Sequence, residues 1–147
     1  MSTLHYRPMT MADHSPLIAL FERTPGISVK NADSFDSTER YLRRNPGLSF
    51  VVLDNDKIIG CCMSGHDGKR GYLQHLVVDT HYRGQGISRH LVDLCIAALA
   101  EQDILKTHLF VLKNNPEGRA FWEHLGWQCR AEEVAMYSWI EGDDPLT

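Results

Sequence analysis

The most constraining feature of the sequence is an abrupt change of hydrophobic period on either side of Gly84 and Gly86. Before these glycines, the segment 48–79 contains three short apolar runs separated by tight polar turns, a pattern that predicts antiparallel hairpins. After them, apolar residues recur at helical spacing from Ile87 to Ala100, which predicts an amphipathic helix. The chain is therefore predicted to be a mixed α/β domain with an antiparallel half and a βαβ half.

The expected order of elements is β-α-α-β-β-β-α-β-α-β, and a short extra strand at Trp127–Cys129 is kept open. Strands are expected at Leu4–Arg7, Leu48–Leu53, Lys57–Ser64, Gly71–Asp79, Thr107–Leu112 and Glu133–Ile140. Helices are expected to begin at Thr10 (with Asp13 as its capping partner), at Ser34 or Asp36, at Ile87 and at Asn115-Pro116. Since 147 residues without a repeat or linker suit one core, residues 1–147 are predicted to form a single domain.

Charge and hydropathy exclude two classes of partner. Lys and Arg number 15 against 19 Asp and Glu, a formal net charge of −4, so binding to nucleic acid through bulk charge is not expected. The chain lacks the ~18 consecutive apolar residues of a membrane-spanning helix, and its first residues do not resemble a signal peptide. We therefore expect a cytoplasmic protein that binds no nucleic acid and no membrane.

The spacing of cysteine and histidine does not predict a metal site. The four cysteines are Cys61, Cys62, Cys95 and Cys129, of which two are adjacent and none forms a C-x-x-C pair. The eight histidines form neither H-x-x-x-H nor H-E-x-x-H. We expect reduced thiols and no metal.

The junction between the strand ending at Val78 and the helix beginning at Ile87 is the expected site of chemistry. Its glycines let the backbone approach a ligand, and the first amides of a helix lack intrahelical partners, so the junction predicts a phosphate-binding cradle. Arg83 and Arg89 add positive charge. The sequence does not match the dinucleotide-binding motif G-x-G-x-x-G, because Arg89 occupies the position of its third glycine. Two alternatives remain: a nucleotide-binding module of another kind, and a loop that binds no ligand.

Arg83-x-x-Gly86-x-Ser88 resembles the pyrophosphate motif R/Q-x-x-G-x-G/A of the GNAT N-acetyltransferases, with Ser88 as a departure from the usual Gly or Ala. Tyr6–Thr10 is similar to the family's opening strand, and Asn115–Trp127 is similar to its late helix. The resemblance extends over nearly the whole chain. It implies a GNAT fold, which is a mixed, mostly antiparallel sheet with a central splayed parallel strand pair and flanking helices.

The resemblance further implies acetyl-CoA as co-substrate, lying in the V between the strands Leu73–Asp79 and Thr107–Leu112. The implied binding residues are Leu76, Val77 and Val78 on the strand, Arg83, Gly84, Gln85, Gly86, Ile87, Ser88 and Arg89 around the pyrophosphate, and Asn115 on the CoA arm. The implied reaction is direct transfer of an acetyl group to an amine of a small molecule or a peptide.

The catalytic groups are harder to assign. His75 on the central strand is the candidate general base, because an imidazole titrates near neutral pH, and an ordinary strand histidine is the alternative. Trp122 stands where many family members have a Tyr that protonates the leaving thiolate, and Trp has no usable acidity. A CoA-binding sensor with a degenerate catalytic centre is therefore the alternative function. A homodimer and the identity of the acceptor amine stay open.

Overall fold

The computed structural model describes residues 3–142. Its strands are β1 (Leu4–Pro8), β2 (Phe50–Asp54), β3 (Lys57–His66), β4 (Gly71–Val78) and β5 (Thr107–His108). Its helices are α1 (His14–Glu22), α2 (Phe35–Arg44), α3 (Ile87–Glu101) and α4 (Pro116–His124), and short 3-10 turns lie at Met11–Asp13, Asn31–Asp33 and Thr80–Tyr82. The chain divides into two compact units, the first ending at Leu109 and the second beginning at Phe110. The single domain expected from the sequence stays a prediction.

The first unit is built around a five-stranded sheet with the order β1-β2-β3-β4-β5. The first four strands pair antiparallel and β4 pairs parallel with β5, so the mixed sheet predicted from the resemblance is confirmed. Asn55 and Gly68 take φ angles of 55° and 97° in the turns that flank β3, a left-handed geometry that suits tight hairpins. In the described part of the chain, the parallel pair lies at one end of the sheet rather than at its centre.

Helices α1 and α3 cover the sheet. Leu20 and Phe21 of α1 pack into one apolar cluster with Cys61 of β3. The neighbouring Cys62 instead lies beside Cys95 of α3, whose thiol donates to the Cys62 carbonyl at 3.6 Å and raises the pKa of the Cys62 thiol. Because adjacent strand residues point to opposite faces, the two helices lie on opposite faces of the sheet. All four cysteines are free thiols, as expected.

The helix starts follow the capping signals in the sequence. The backbone N–H of Thr10 donates to Asp13 Oδ2 at 2.8 Å in the 3-10 turn that leads into α1. The Ser34 hydroxyl accepts from the backbone N–H of Ser37 at the start of α2. Asn115 Oδ1 accepts from the backbone N–H of Gly118 at 3.0 Å at the start of α4. Local hydrogen bonding therefore fixed the starts of this turn, of α2 and of α4. The α-helix expected from Thr10 begins only at His14, because the first residues after Thr10 form the 3-10 turn.

The C-terminal strands differ from the prediction. The strand expected at Thr107–Leu112 has only the two residues of β5. The segments 127–129 and 133–140 form no strand in the described structure. Alternating apolar residues indicate which side chains of a strand would face the core, but they do not provide a neighbouring strand. A strand forms only where its backbone N–H and C=O groups are hydrogen-bonded to such a neighbour. Here large side chains such as Tyr137 and Trp139 remain exposed.

Within residues 3–142, no helix has the length and apolar character needed to cross a membrane. The same residues contain no cluster of three or more His, Cys, Asp or Glu side chains arranged to hold a metal ion.

Candidate active site

Strand β4 is paired on its β5 side only over its first two residues. The parallel ladder joins Gly71 to Thr107 and Tyr72 to His108, and β5 then ends. Gly71 permits this close approach, since a Cβ there would lie 2.7 Å from Thr107 Oγ1. Among the described residues, the β5-facing edge of β4 beyond Tyr72 has no strand partner, which is the opening that a splayed pair requires.

The residues predicted to bind the pantetheine arm line this open edge. Val77 and Val78 pair with β3 on the opposite edge, and the next amide, Asp79 N–H, donates to the Ile59 carbonyl of β3 at 2.8 Å. Successive N–H groups of a strand point to alternate edges, so the Val78 N–H is directed to the open edge. Leu76 is half-buried beside them. Within residues 3–142, the edge therefore presents a backbone donor without a strand partner at the end of β4.

A β-bulge interrupts β4 at His75. Between Gln74 and Val77 the register with β3 shifts, so that two residues of β4 oppose one of β3. His75 takes a φ of 43°, in the left-handed region that non-glycine residues seldom adopt. Its ring stacks on Phe21 with ring centroids 4.8 Å apart, and its side chain stays 25% exposed. The bulge thus turns the candidate base out of the regular strand alternation.

Asp33 binds His75 from a distant part of the chain. His75 Nε2 lies 2.6 Å from Asp33 Oδ1, although 42 residues separate the two in sequence. The carboxylate belongs to the 3-10 turn before α2 and is 8% exposed. Asp33 is not recognisable from the sequence as part of the site, because its only local signal is that of a turn cap and no pattern links it to β4.

The loop before α3 has the backbone geometry of an anion-binding site. Gly84 and Gly86 take φ angles of 80° and 74°, and a Cβ on either would meet no atom within 4 Å, so backbone conformation and not crowding requires glycine. No side chain caps the helix. The first helical bond runs from His90 N–H to the Gly86 carbonyl, which leaves the amides of residues 87–89 without a partner in the described structure.

The side chains around these amides complete a positively charged surface. Arg83, Gln85 and Arg89 are exposed, whereas Ile87 is buried and anchors the helix start, and Ser88 is half-buried. Free N–H groups, the positive end of the helix dipole and two guanidinium groups together favour a phosphate group at this position.

Asp79 holds the end of β4 and the loop together. Its buried carboxylate accepts from the backbone N–H of His81 at 3.0 Å, from the His81 ring at 3.1 Å and from Arg23 Nε at 3.2 Å. The backbone bond from His81, followed by the His81 and Arg23 side chains, lowers the pKa of Asp79 to about 2. Arg23 also donates to the Ile58 carbonyl, which ties the end of α1 to β3.

Asn115 and Trp122 belong to the second unit, where both have structural contacts. Asn115 is the cap of α4, as the sequence predicts, and its contact with the CoA arm stays a prediction. Trp122 packs edge-on against Trp127 and Phe121 with ring centroids 5.0 and 5.1 Å apart. These contacts support a packing role for Trp122 rather than an acidic one.

Sequence comparison identifies relatives of this chain. The model of the acetyltransferase (GNAT) family matches residues 15–127. N-alpha-acetyltransferase 30 of Schizosaccharomyces pombe is 33% identical over 113 residues, which cover 71% of each chain. The human protein of the same name is 32% identical over 115 residues, or 74% of this chain and 31% of its own length. The match thus spans most of the yeast relative but under a third of the human one.

Solved structures show the same fold. Ard1 from Thermoplasma volcanium superposes with a TM-score of 0.73 at 17% identity, covering 84% of this chain and 81% of that one. A predicted acetyltransferase from Clostridium acetobutylicum, solved with acetyl-CoA, superposes with a TM-score of 0.68 at 22% identity, covering 92% and 96%. The names of the sequence relatives are those of enzymes, which supports an N-acetyltransferase over a CoA-binding sensor. With the family model matching most of its length, the chain belongs to the GNAT acetyltransferase family.

Proposed function

We propose that this N-acetyltransferase modifies the α-amino group at the N-terminus of a peptide. GNAT acetyltransferases use acetyl-CoA as co-substrate, and the sequence relatives carry the name N-alpha-acetyltransferase. The open edge of β4 leading into the uncapped start of α3 carries the binding of acetyl-CoA, and the relatives' name carries the choice of acceptor. The free thiols support a reducing compartment such as the cytoplasm. The homodimer remains a prediction.

The co-substrate is proposed to bind along β4 and the loop that follows. Backbone groups of Leu76–Val78 hydrogen-bond the pantetheine arm at the edge of β4 that has no strand partner in the described part of the chain. The amides of residues 87–89, with Arg83 and Arg89, bind the pyrophosphate. Gly84 and Gly86 keep the loop backbone open to it, while Gln85, Ile87 and Ser88 complete the motif. Asn115 is assigned to the CoA arm on the family resemblance.

The chemistry then needs one proton acceptor and one hydrogen-bond donor. Acetyl-CoA supplies the acetyl thioester. The amine must lose a proton before it attacks, and we assign this step to His75 on the bulge of β4. We assign to the Val78 N–H, which has no strand partner among the described residues, the stabilisation of negative charge that develops on the carbonyl oxygen. A thiol leaving group has a pKa near ~8.5, so it departs without an acid at the position of Trp122.

An α-amine suits a site with a single imidazole base. An α-amino group has a pKa of about 7.7–8.0 and a lysine side chain one of about 10.4. At pH 8 roughly half of the α-amines are already neutral, compared with less than about 1% of lysines. A histidine base therefore has to deprotonate a much smaller fraction of the acceptor when the acceptor is an α-amine.

A matched pair of peptides tests the acceptor. One carries a free α-amine and no lysine, and the other has a blocked N-terminus and one internal lysine. Thiol release from acetyl-CoA is followed at pH 8 with each peptide, and His75→Gln serves as the variant lacking the base. We expect turnover with the free N-terminus only. His75→Gln should lose little activity at pH 8, where about half of the α-amines are already neutral, and about tenfold or more at pH 6.5, where only a few per cent are neutral. Equal turnover with the blocked peptide, or turnover confined to small amines, would contradict the proposed acceptor.

A further inference from the structure

The contact between Asp33 and His75 determines which ring nitrogen carries hydrogen. A carboxylate oxygen only accepts hydrogen bonds, so the nitrogen 2.6 Å from Asp33 Oδ1 is protonated and donates. A neutral imidazole has one N–H group, which places it on Nε2 and leaves a lone pair on Nδ1. Nothing in the described part of the chain hydrogen-bonds Nδ1 of His75.

The Asp33 carboxylate is itself held in place. Its second oxygen, Oδ2, accepts from the backbone N–H of Lys30 at 2.8 Å. The ring of His14 donates to the Asp33 carbonyl at 2.8 Å, which ties the turn to the start of α1. The carboxylate is almost fully buried, so each of its oxygens has one protein donor and little contact with water. Such a carboxylate is fixed before any substrate binds.

The backbone and ring of His75 are arranged to meet this carboxylate. The residue keeps a left-handed φ at the bulge, a strained conformation that persists only where its surroundings impose it. Stacking on Phe21 fixes the plane of the ring. Rotation of the ring would lose both the stacking and the hydrogen bond to Asp33.

We propose that Asp33 is a positioning residue for the transfer reaction, holding His75 as its Nε2–H tautomer so that Nδ1 accepts the proton of the amine. The inference deepens the proposed function and rests on it, because it takes His75 as the general base. Proton transfer breaks an N–H bond of the ammonium group and forms the Nδ1–H bond. Asp33 stabilises the resulting imidazolium through the bond to Nε2–H without taking a proton itself.

Asp33→Asn separates this role from simple capping of the turn. Asparagine has the same shape, and its oxygen still accepts from the backbone N–H of Lys30. Its NH₂ group, however, then faces Nε2 of His75, which must become an acceptor. The ring hydrogen moves to Nδ1, and the nitrogen proposed to act as base loses its lone pair.

Two measurements report the outcome. Ring-¹⁵N correlation NMR at a pH where the imidazole is neutral should show His75 as Nε2–H in the wild type and as Nδ1–H in Asp33→Asn. In steady-state kinetics at pH 6.5, where few α-amines are neutral, kcat should fall about tenfold or more while KM for acetyl-CoA changes less than about twofold. In a His75→Gln background, Asp33→Asn should cause no comparable further loss, since the two residues act as a unit.

Asp13→Asn is the matched control. Asp13 occupies the last position of the turn Met11–Asp13 and accepts the backbone N–H of Thr10 at 2.8 Å, but its side-chain partner is Arg7 and not a histidine. This variant should lose stability and leave the His75 tautomer and kcat unchanged. A wild-type Nδ1–H tautomer, or an unchanged tautomer in Asp33→Asn, would overturn the proposal. The NMR result needs no acceptor, so failure of every peptide as a substrate would count against the proposed function alone.

Discussion

Replacing Gly86 by alanine tests whether the loop before α3 binds the pyrophosphate. Gly86 has a φ of 74°, and a Cβ there would meet nothing within 4 Å, so alanine adds backbone strain without a collision. The strain of a left-handed alanine costs roughly 1–2 kcal/mol. A methyl group also hinders close approach of phosphate to the backbone, so we expect the affinity for acetyl-CoA to fall at least tenfold. Valine would add the larger strain of a β-branched residue, which makes alanine the sharper probe.

Gly47→Ala is the control for the strain. Gly47 lies between α2 and β2, takes a φ of 76°, and its Cβ would likewise meet nothing within 4 Å. Both variants should therefore lose similar stability without ligand. Only Gly86→Ala should lose affinity, and the difference between the two variants isolates the binding effect.

The expected magnitude follows from linkage between binding and folding. Acetyl-CoA at a hundred times its Kd adds about 2.7 kcal/mol to the free energy of unfolding, and a tenfold higher Kd reduces this to about 1.4 kcal/mol. In a chain of this size 1 kcal/mol corresponds to roughly 2–4 °C in Tm. The ligand-induced rise in Tm should therefore fall from roughly 5–11 °C in the wild type and Gly47→Ala to roughly 3–6 °C in Gly86→Ala.

Thermal unfolding with and without acetyl-CoA measures these shifts, and titration calorimetry gives the Kd values directly. Equal Kd values for acetyl-CoA in the wild type and Gly86→Ala would refute the reasoning, because the loop would then be structural only. A rise in Tm with ATP or NAD but not with acetyl-CoA would refute the assignment of the ligand as well.

Three further outcomes are expected. Folding lowers the pKa of Asp79 from 3.8 to about 2. The ionised carboxylate therefore stabilises the fold by about 2 kcal/mol above pH 4. This contribution is lost as the pH falls towards 2. In urea unfolding Asp79→Asn should therefore be about 2 kcal/mol less stable at pH 7 and approach the wild type near pH 2; an equal deficit at both pH values would contradict the assignment. Arg83→Gln should weaken acetyl-CoA binding about tenfold and reduce the salt dependence of binding in calorimetry. The control Arg70→Gln, at another exposed arginine, should leave both the affinity and its salt dependence unchanged. Trp122→Phe should lose about 1 kcal/mol of stability through its contact with Trp127 while kcat falls less than about tenfold; a hundredfold loss in a folded variant would make Trp122 part of the chemistry.

The sequence by itself determined the local features of this protein. Helical period and capping residues set the starts of α2, α3 and α4 within a residue or two, because a helix forms from contacts three or four residues apart. Short turns set the hairpins of β2, β3 and β4 in the same way. The glycines before α3 marked the candidate phosphate site, since their left-handed backbone is a property of the residue type.

Only the tertiary structure decided which groups meet. The bulge that carries His75 depends on the register between two strands, and alternation within one strand cannot show it. The contact of His75 with Asp33 joins a strand to a turn 42 residues away, for which no short pattern exists. The strand predicted at Glu133–Ile140 was wrong for a related reason. A strand needs a neighbouring strand for its backbone hydrogen bonds, and the pattern of its own side chains does not show whether one is present.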